Sequence, residues 1–259
     1  MVVSVERDLS GALVAARASG DAEFARSCEL SGVRDTLPSP AYAPDVDLEC
    51  GTYGDLLDKL AQMVGSKGVT AGQCRMLRLY AAWKGHLESQ FVLGYDFGTG
   101  RNVKLDFVLA RYWYGKAAEA GHPWAQNNLG VLYDNGLGGE ADNEKAVYWY
   151  MKSAENGNDM AKVNLGENLV TNTSGTRDYH KAARLLKDFL SRHPYNARAH
   201  LMLARCHENI GGKRRQKLAI HHYQEALDFG LTEAREALRR LTRGGRTAIF
   251  LKLPTESGS

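Results

Sequence analysis

The chain has 259 residues, 44% of them hydrophobic and 24% charged, with a formal net charge of +3. This is the composition of an ordinary soluble protein with enough chain for one elongated domain or two small ones. No run of 18 apolar residues occurs, which excludes a membrane-spanning helix, and Met1 to Gly20 lacks the basic start and unbroken apolar stretch of a secretory leader. The expectation is a cytoplasmic protein, with export by a leaderless route left open.

In chain order, residues 1–50 predict one helix near 5–28 and then a Pro-interrupted stretch, Leu37 to Asp47. A repeat array follows over 51–242. Gly85, Gly121 and Gly157 are 36 residues apart, and so are Gly94, Gly130 and Gly166. Leu93, Leu129 and Leu165 keep the interval, as do Asp106, Asp142 and Asp178, and Ala110, Ala146 and Ala182. A period of this length in a helix-patterned chain is the signature of stacked helical pairs. The fold class is therefore all-α, a stack of about five helix-turn-helix units closed by a capping helix over Thr232 to Leu241.

The unit from Ala125 to Met160 shows the design. Ala125, Leu129, Leu132 and Tyr133 form one apolar stripe at helical spacing. Gly136, Gly138 and Gly139 break that helix, and Asp142 is placed to cap the next. Ala146, Trp149, Tyr150 and Ala154 form the apolar face of the second helix, answered one repeat earlier by Ala110, Trp113, Tyr114 and Ala118. Trp113, Tyr114, Trp149 and Tyr150 are expected to be mostly buried. An earlier copy is implied by Leu57, with Thr70 and Gln73 as a capping box. A later copy carries Leu203-Ala204, Ala219, His222 and Tyr223 after a slip at His193-Pro194. Residues 243–259 form a tail with one apolar patch, Ala248 to Leu251, read as disordered or folded back.

The strings LGVLYDNGLG and DNEKAVYWYMKSAENG, with Ala125-Gln126 at the preceding boundary, resemble the Sel-1-like repeat, a relative of the tetratricopeptide repeat. The resemblance covers about two thirds of the chain and is strongest over 89–162. It implies a right-handed α-α superhelix, a solenoid that assembles other proteins, with the first helix of each pair lining a concave face. It names no partner. One subfamily carries regularly spaced disulfides, and Cys28, Cys50, Cys74 and Cys206 depart from that pattern. None forms a CxxC pair, so they read as reduced, buried thiols.

On first helices, the positions off the core stripe include Tyr95, Asn127, Asn128, Val131, Asp134, Asn164, Glu167 and Arg205. Asparagine is a poor helix former, and its amide can both donate to and accept from an extended backbone. These residues are a candidate groove for a peptide or protein segment, against the alternative of a plain solvated face.

Charge is uneven. Residues 177–241 hold 14 Lys/Arg against 7 Asp/Glu. Within them, Lys213, Arg214, Arg215 and Lys217 form a basic patch, and alignment on Ala219 places Arg215 where the other units have a capping aspartate. An acidic ligand, phosphate or nucleic acid is the alternative partner class. Six of the eight histidines fall between His180 and His222. His200 and His207 share a helix face, but without a further converging ligand they predict packing and no metal. No GxSxG, HExxH or phosphate-binding loop occurs, so no catalytic residue and no cofactor is predicted and the chain is not read as an enzyme; a hydrolase whose residues the sequence does not name is the third reading.

Overall fold

The computed structural model describes residues 2–30, 71–101, 103–171 and 177–243. The expectations on Leu37 to Asp47, Leu57, Thr70 and the 248–251 patch lie outside the described residues. The helices are α1 (Val2–Ser19), α2 (Ala22–Leu30), α3 (Ala71–Trp83), α4 (Leu87–Thr99), α5 (Phe107–Glu119), α6 (Pro123–Asp134), α7 (Asn143–Glu155), α8 (Asp159–Thr171), α9 (Tyr179–Arg192), α10 (Ala197–Ile210), α11 (Lys213–Asp228) and α12 (Ala234–Arg243). They form two compact units, Met1–Asn158 and Asp159–Ser259. In both, each helix packs on its chain neighbour, so the described residues are an all-α helical-repeat fold.

The single helix expected near 5–28 is two. Gly20 takes φ +81°, and Asp21 caps α2 by accepting the Phe24 amide at 3.0 Å. Leu9, Ala12, Leu13 and Ala16 then bury one stripe of α1, and α1 packs against α3.

The repeats follow from two glycine series with different jobs. Gly85, Gly121 and Gly157 all sit near φ +90°. Each closes a second helix with a left-handed turn in which the following amide reaches back five residues, as His86 does to the Ala81 carbonyl at 2.9 Å. Gly94, Gly130 and Gly166 are instead helical, and a side chain lies flat on each. A Cβ on Gly94 would stand 2.5 Å from the Tyr114 ring, one on Gly130 2.7 Å from Tyr150, and one on Gly166 2.9 Å from Leu186. The glycine and the large residue twenty positions later are a matched pair, and they set how closely the two helices of a hairpin approach.

Asp106, Asp142 and Asp178 cap α5, α7 and α9, as expected. Their own amides close the loop behind them, on the carbonyls of Phe97, Tyr133 and Leu169 respectively. First helices are capped differently. His86 Nδ1 accepts the Ser89 amide, His122 Nδ1 the Ala125 amide, and Asn196 the Ala199 amide. His86 and His122 are themselves 36 residues apart, a repeat signal that a search for aspartate and serine caps passes over. Burial lowers the pKa of His86, which suits a ring nitrogen that must stay unprotonated to accept.

The expected capping helix is present as α12. Ala234 and Leu238 are buried against the core of the second unit, while Arg235, Glu236, Arg239 and Arg240 face solvent.

Candidate interaction faces

In the first unit the stripe of first-helix positions runs through Tyr95 on α4 and Asn128, Val131 and Asp134 on α6. Tyr95 is exposed, Asn128 and Val131 are half-buried, and Asp134 is exposed at the helix end. Tyr95 and Val131 are register equivalents, one repeat apart, so an aromatic and an aliphatic side chain are presented from consecutive first helices. The polar groups beside them are already engaged. Asn128 donates to the Tyr114 hydroxyl at 3.0 Å, and Asp134 accepts from the Tyr150 hydroxyl at 3.3 Å.

Asn127 corrects the sequence reading. It is buried, only 7% exposed, and its amide donates to Asn128 Oδ1 at 3.3 Å. It is one residue off the exposed stripe, which on a helix is a rotation of about 100°. It is therefore no part of the exposed stripe.

In the second unit Asn164, Glu167 and Arg205 are half-buried. Arg198 joins the first two, donating to Asn164 Oδ1 at 3.4 Å and pairing with Glu167. Arg205 faces Glu233 at 3.7 Å. This face is charged where the first unit's is apolar and amidic.

The basic patch occupies the first turns of α11, but not as aligned. The helix begins at Lys213, its cap residue is Gly212, and no side chain caps it. Arg215 therefore stands inside the first turn and not in the capping place. The physical reason is the connection: only Gly211 and Gly212 separate α10 from α11, so the second helix starts most of a turn earlier than in the other units. Arg215 turns toward His207, with Nη1 3.4 Å from Nδ1, while Lys213, Arg214 and Lys217 are exposed.

The histidines of α10 and α11 do meet. His200 Nδ1 is 3.0 Å from His222 Nδ1, and the His207 and His222 rings stack 5.7 Å apart. Burial and the neighbouring His200, His221 and His207 push His222 down to about 3, so the ring is neutral at ordinary pH. Among the described residues no group of three or more His, Cys, Asp or Glu is arranged to hold a metal ion. Cys28 and Cys206 are buried, unpaired thiols, both pushed up to about 12 chiefly by desolvation. Cys50 and the Cys74 side chain lie outside the described residues. No described helix is long and apolar enough to cross a membrane.

Of the aromatic core quartet, Trp113, Tyr114 and Tyr150 are buried as expected, at 0%, 4% and 1% exposure. Trp149 is only half-buried, at the edge of the core. What differs is a cover. Phe24 of α2 lies edge-on to Trp113, and Ser27 accepts its indole N–H.

The Sel1 repeat family model matches residues 87–122, 125–158 and 197–228. Among solved structures, the chain is similar to a Sel1 repeat protein from Oxalobacter formigenes, with 26% identity and a TM-score of 0.58 over 74% of this chain and 76% of that one. It is also similar to c5321, a protective antigen present in uropathogenic Escherichia coli strains that displays the same kind of repeat fold. There the identity is 28% and the TM-score 0.61 over 74% of this chain, which spans 41% of the antigen. No curated protein matches the chain.

Proposed function

Because this chain belongs to the Sel1-repeat family, whose members generally act as protein-interaction scaffolds, we propose that it is an adaptor that binds a protein segment on its first-helix face. The observation that supports the reading is the pairing of exposed Tyr95 with half-buried Val131 at one register position of consecutive repeats. Asn128 stands beside them, held in place by Asn127 and Tyr114. An amphipathic aromatic next to an aliphatic, with a fixed amide alongside, suits an extended segment that buries a side chain and offers its backbone to Asn128. The second unit carries a set of its own on first helices, Asn164, Glu167 and Arg205. Nothing in this role calls for a catalytic group or a cofactor.

The test replaces Tyr95 and Val131 with glutamate and compares proteins captured from lysate with those captured by the unaltered chain. Both positions reach solvent, so the helical content should be unchanged. The reading expects the principal partner to be lost. Equal capture by the folded double variant rejects this face.

A narrower second reading is an acidic ligand at the start of α11. It is favoured by the absence of any side-chain cap on amides that carry partial positive charge, next to Lys213, Arg214, Arg215 and Lys217. Binding that falls steeply with salt and is abolished by glutamine at Lys213, Arg214 and Lys217 distinguishes it from the first.

A further inference from the structure

The first unit contains one aromatic arrangement twice, covered by a further helix in one copy and, among the described residues, by none in the other. Tyr112 and Trp113 on α5 have ring centroids 5.0 Å apart at 85°. Tyr148 and Trp149 on α7, one repeat later, have centroids 5.0 Å apart at 77°. The repeat has rebuilt the same pair in the same geometry.

Over the first pair lies α2, and its contacts come from seven consecutive residues. Asp21 accepts from the Tyr112 hydroxyl at 2.9 Å, Phe24 stands edge-on to Trp113 with centroids 6.1 Å apart, and Ser27 accepts the Trp113 indole N–H at 2.8 Å. Arg26 pairs with Asp106, the cap of α5, at 2.5 Å. Asp21, Phe24 and Ser27 are spaced by three and share a helix face. This cover takes Trp113 to 0% exposure.

Over the second pair there is no such helix among the described residues. Tyr148 is 52% exposed and Trp149 half-buried, and neither the Tyr148 hydroxyl nor the Trp149 indole N–H has a hydrogen-bond partner among those residues. The aspartate with which Arg26 of α2 pairs has an equivalent one repeat on. Asp142 caps α7 as Asp106 caps α5. Two components differ: Trp83, whose ring stacks on Phe24 at 6.4 Å, is replaced one repeat on by exposed Glu119, and buried Leu109 by Lys145, which pairs with Asp142 at 2.8 Å.

We propose that the Tyr148–Trp149 face docks a helix of a partner protein carrying the α2 pattern: an acid, an aromatic three residues on, an arginine five on and a hydroxyl six on, as in Asp21, Phe24, Arg26 and Ser27. The site extends by one repeat an interface that the chain already makes with its own α2. It lies on second helices and is independent of the first-helix face proposed above. The occupant is a partner and not a second copy, because the α2 of a second copy is already part of that copy's core, with Phe24 3% exposed and Ser27 and Cys28 0%. Helix-in-groove docking with aromatic anchors is the recognition mode these features serve.

The experiment uses a fluorescein-labelled peptide of residues Gly20–Leu30, kept reduced, titrated against the full chain by fluorescence polarisation. A second peptide carries a photo-crosslinking phenylalanine at the position of Phe24, so that exchange onto Trp113 is seen directly. Saturable binding and crosslinks on α7 are expected. Phe24→Ala in the peptide, Tyr148→Ser in the chain, and Trp149→Phe, which keeps an aromatic ring of smaller size and loses the indole N–H, are each expected to weaken binding about tenfold. Tyr148 is half exposed, so its replacement leaves the fold intact, which circular dichroism verifies. The proposal is overturned by absence of saturable binding, by crosslinks confined to α5, or by full affinity in a folded Tyr148→Ser chain. It is equally overturned if the full chain is a dimer that the peptide dissociates, since the occupant is then a second copy.

Discussion

Gly130→Ala isolates the packing argument from helix propensity, because the two predict opposite signs. Gly130 is helical and buried, and an added Cβ would stand 2.7 Å from two carbons of the Tyr150 ring and 3.3 Å from the Ala146 carbonyl. The ring cannot move aside freely, since Tyr150 is 1% exposed and its hydroxyl is held by Asp134. Forcing one methyl into such a contact costs roughly 1–3 kcal/mol. Alanine recovers about 1 kcal/mol of helix propensity. The net expectation is destabilisation of about 1 kcal/mol, or a fall in Tm of roughly 2–4 °C in a chain of this size. Thermal unfolding followed by circular dichroism measures it, and Tyr150→Leu in the same background supplies the cycle. Leucine is the partner that Gly166 has in Leu186, so the double variant should lose less than the sum of the singles by roughly 1 kcal/mol. A Gly130→Ala chain that melts higher than the unaltered protein would refute the pairing of glycine with ring.

Gly138→Ala should be worse, by more than about 2 kcal/mol in the same melt. Its φ is +77° and the new Cβ would meet the Phe107 carbonyl oxygen at 2.2 Å, a backbone contact that no side-chain rotation relieves. Asp106→Ala should cost near the upper end of the roughly 0.5–2 kcal/mol range for a lost cap, because Asp106 is buried, accepts from both the Val108 and Leu109 amides, and pairs with Arg26. Asp178→Ala, exposed and accepting the Lys181 amide, should cost toward the lower end in denaturant titration. Acidification should loosen the second unit. His222 is held at about 3, below the unfolded value near 6.5, so its contribution is complete above pH 6.5 and is lost as pH falls toward 3. The loss is on the order of 1 kcal/mol at pH 5 after allowing for solvent screening of a partly exposed ring. A His222→Gln variant should show a flatter dependence of Tm on pH between 7 and 4.5, and an unchanged slope would remove His222 from the account.

The features legible in the amino-acid sequence were mostly local or periodic. The capping role of Asp106, Asp142 and Asp178 needs only a carboxylate and the amides two or three residues on. The helical hairpins follow from a 36-residue apolar pattern, and the His86 and His122 caps were legible in the same spacing. Gly20 and Asp21, a stop and a start side by side, also stood in the sequence, though the apolar stripe around them suggests one helix. The remaining features depend on residues distant in the chain or on the rotation of a helix about its axis. Trp113 and Trp149 are indistinguishable within their repeats, and only the arrival of Phe24 and Ser27 from nearly ninety residues upstream buries one and leaves the other at the edge. Asn127 and Asn128 are neighbours with the same side chain, yet helix rotation sends one inward and leaves the other at the surface. Arg215 misses the capping position because a two-glycine connection lets α11 start early. Caps and periods are set by neighbours within a turn or two of helix. Burial is set by whatever segment the folded chain brings over a face, and no single repeat encodes that segment.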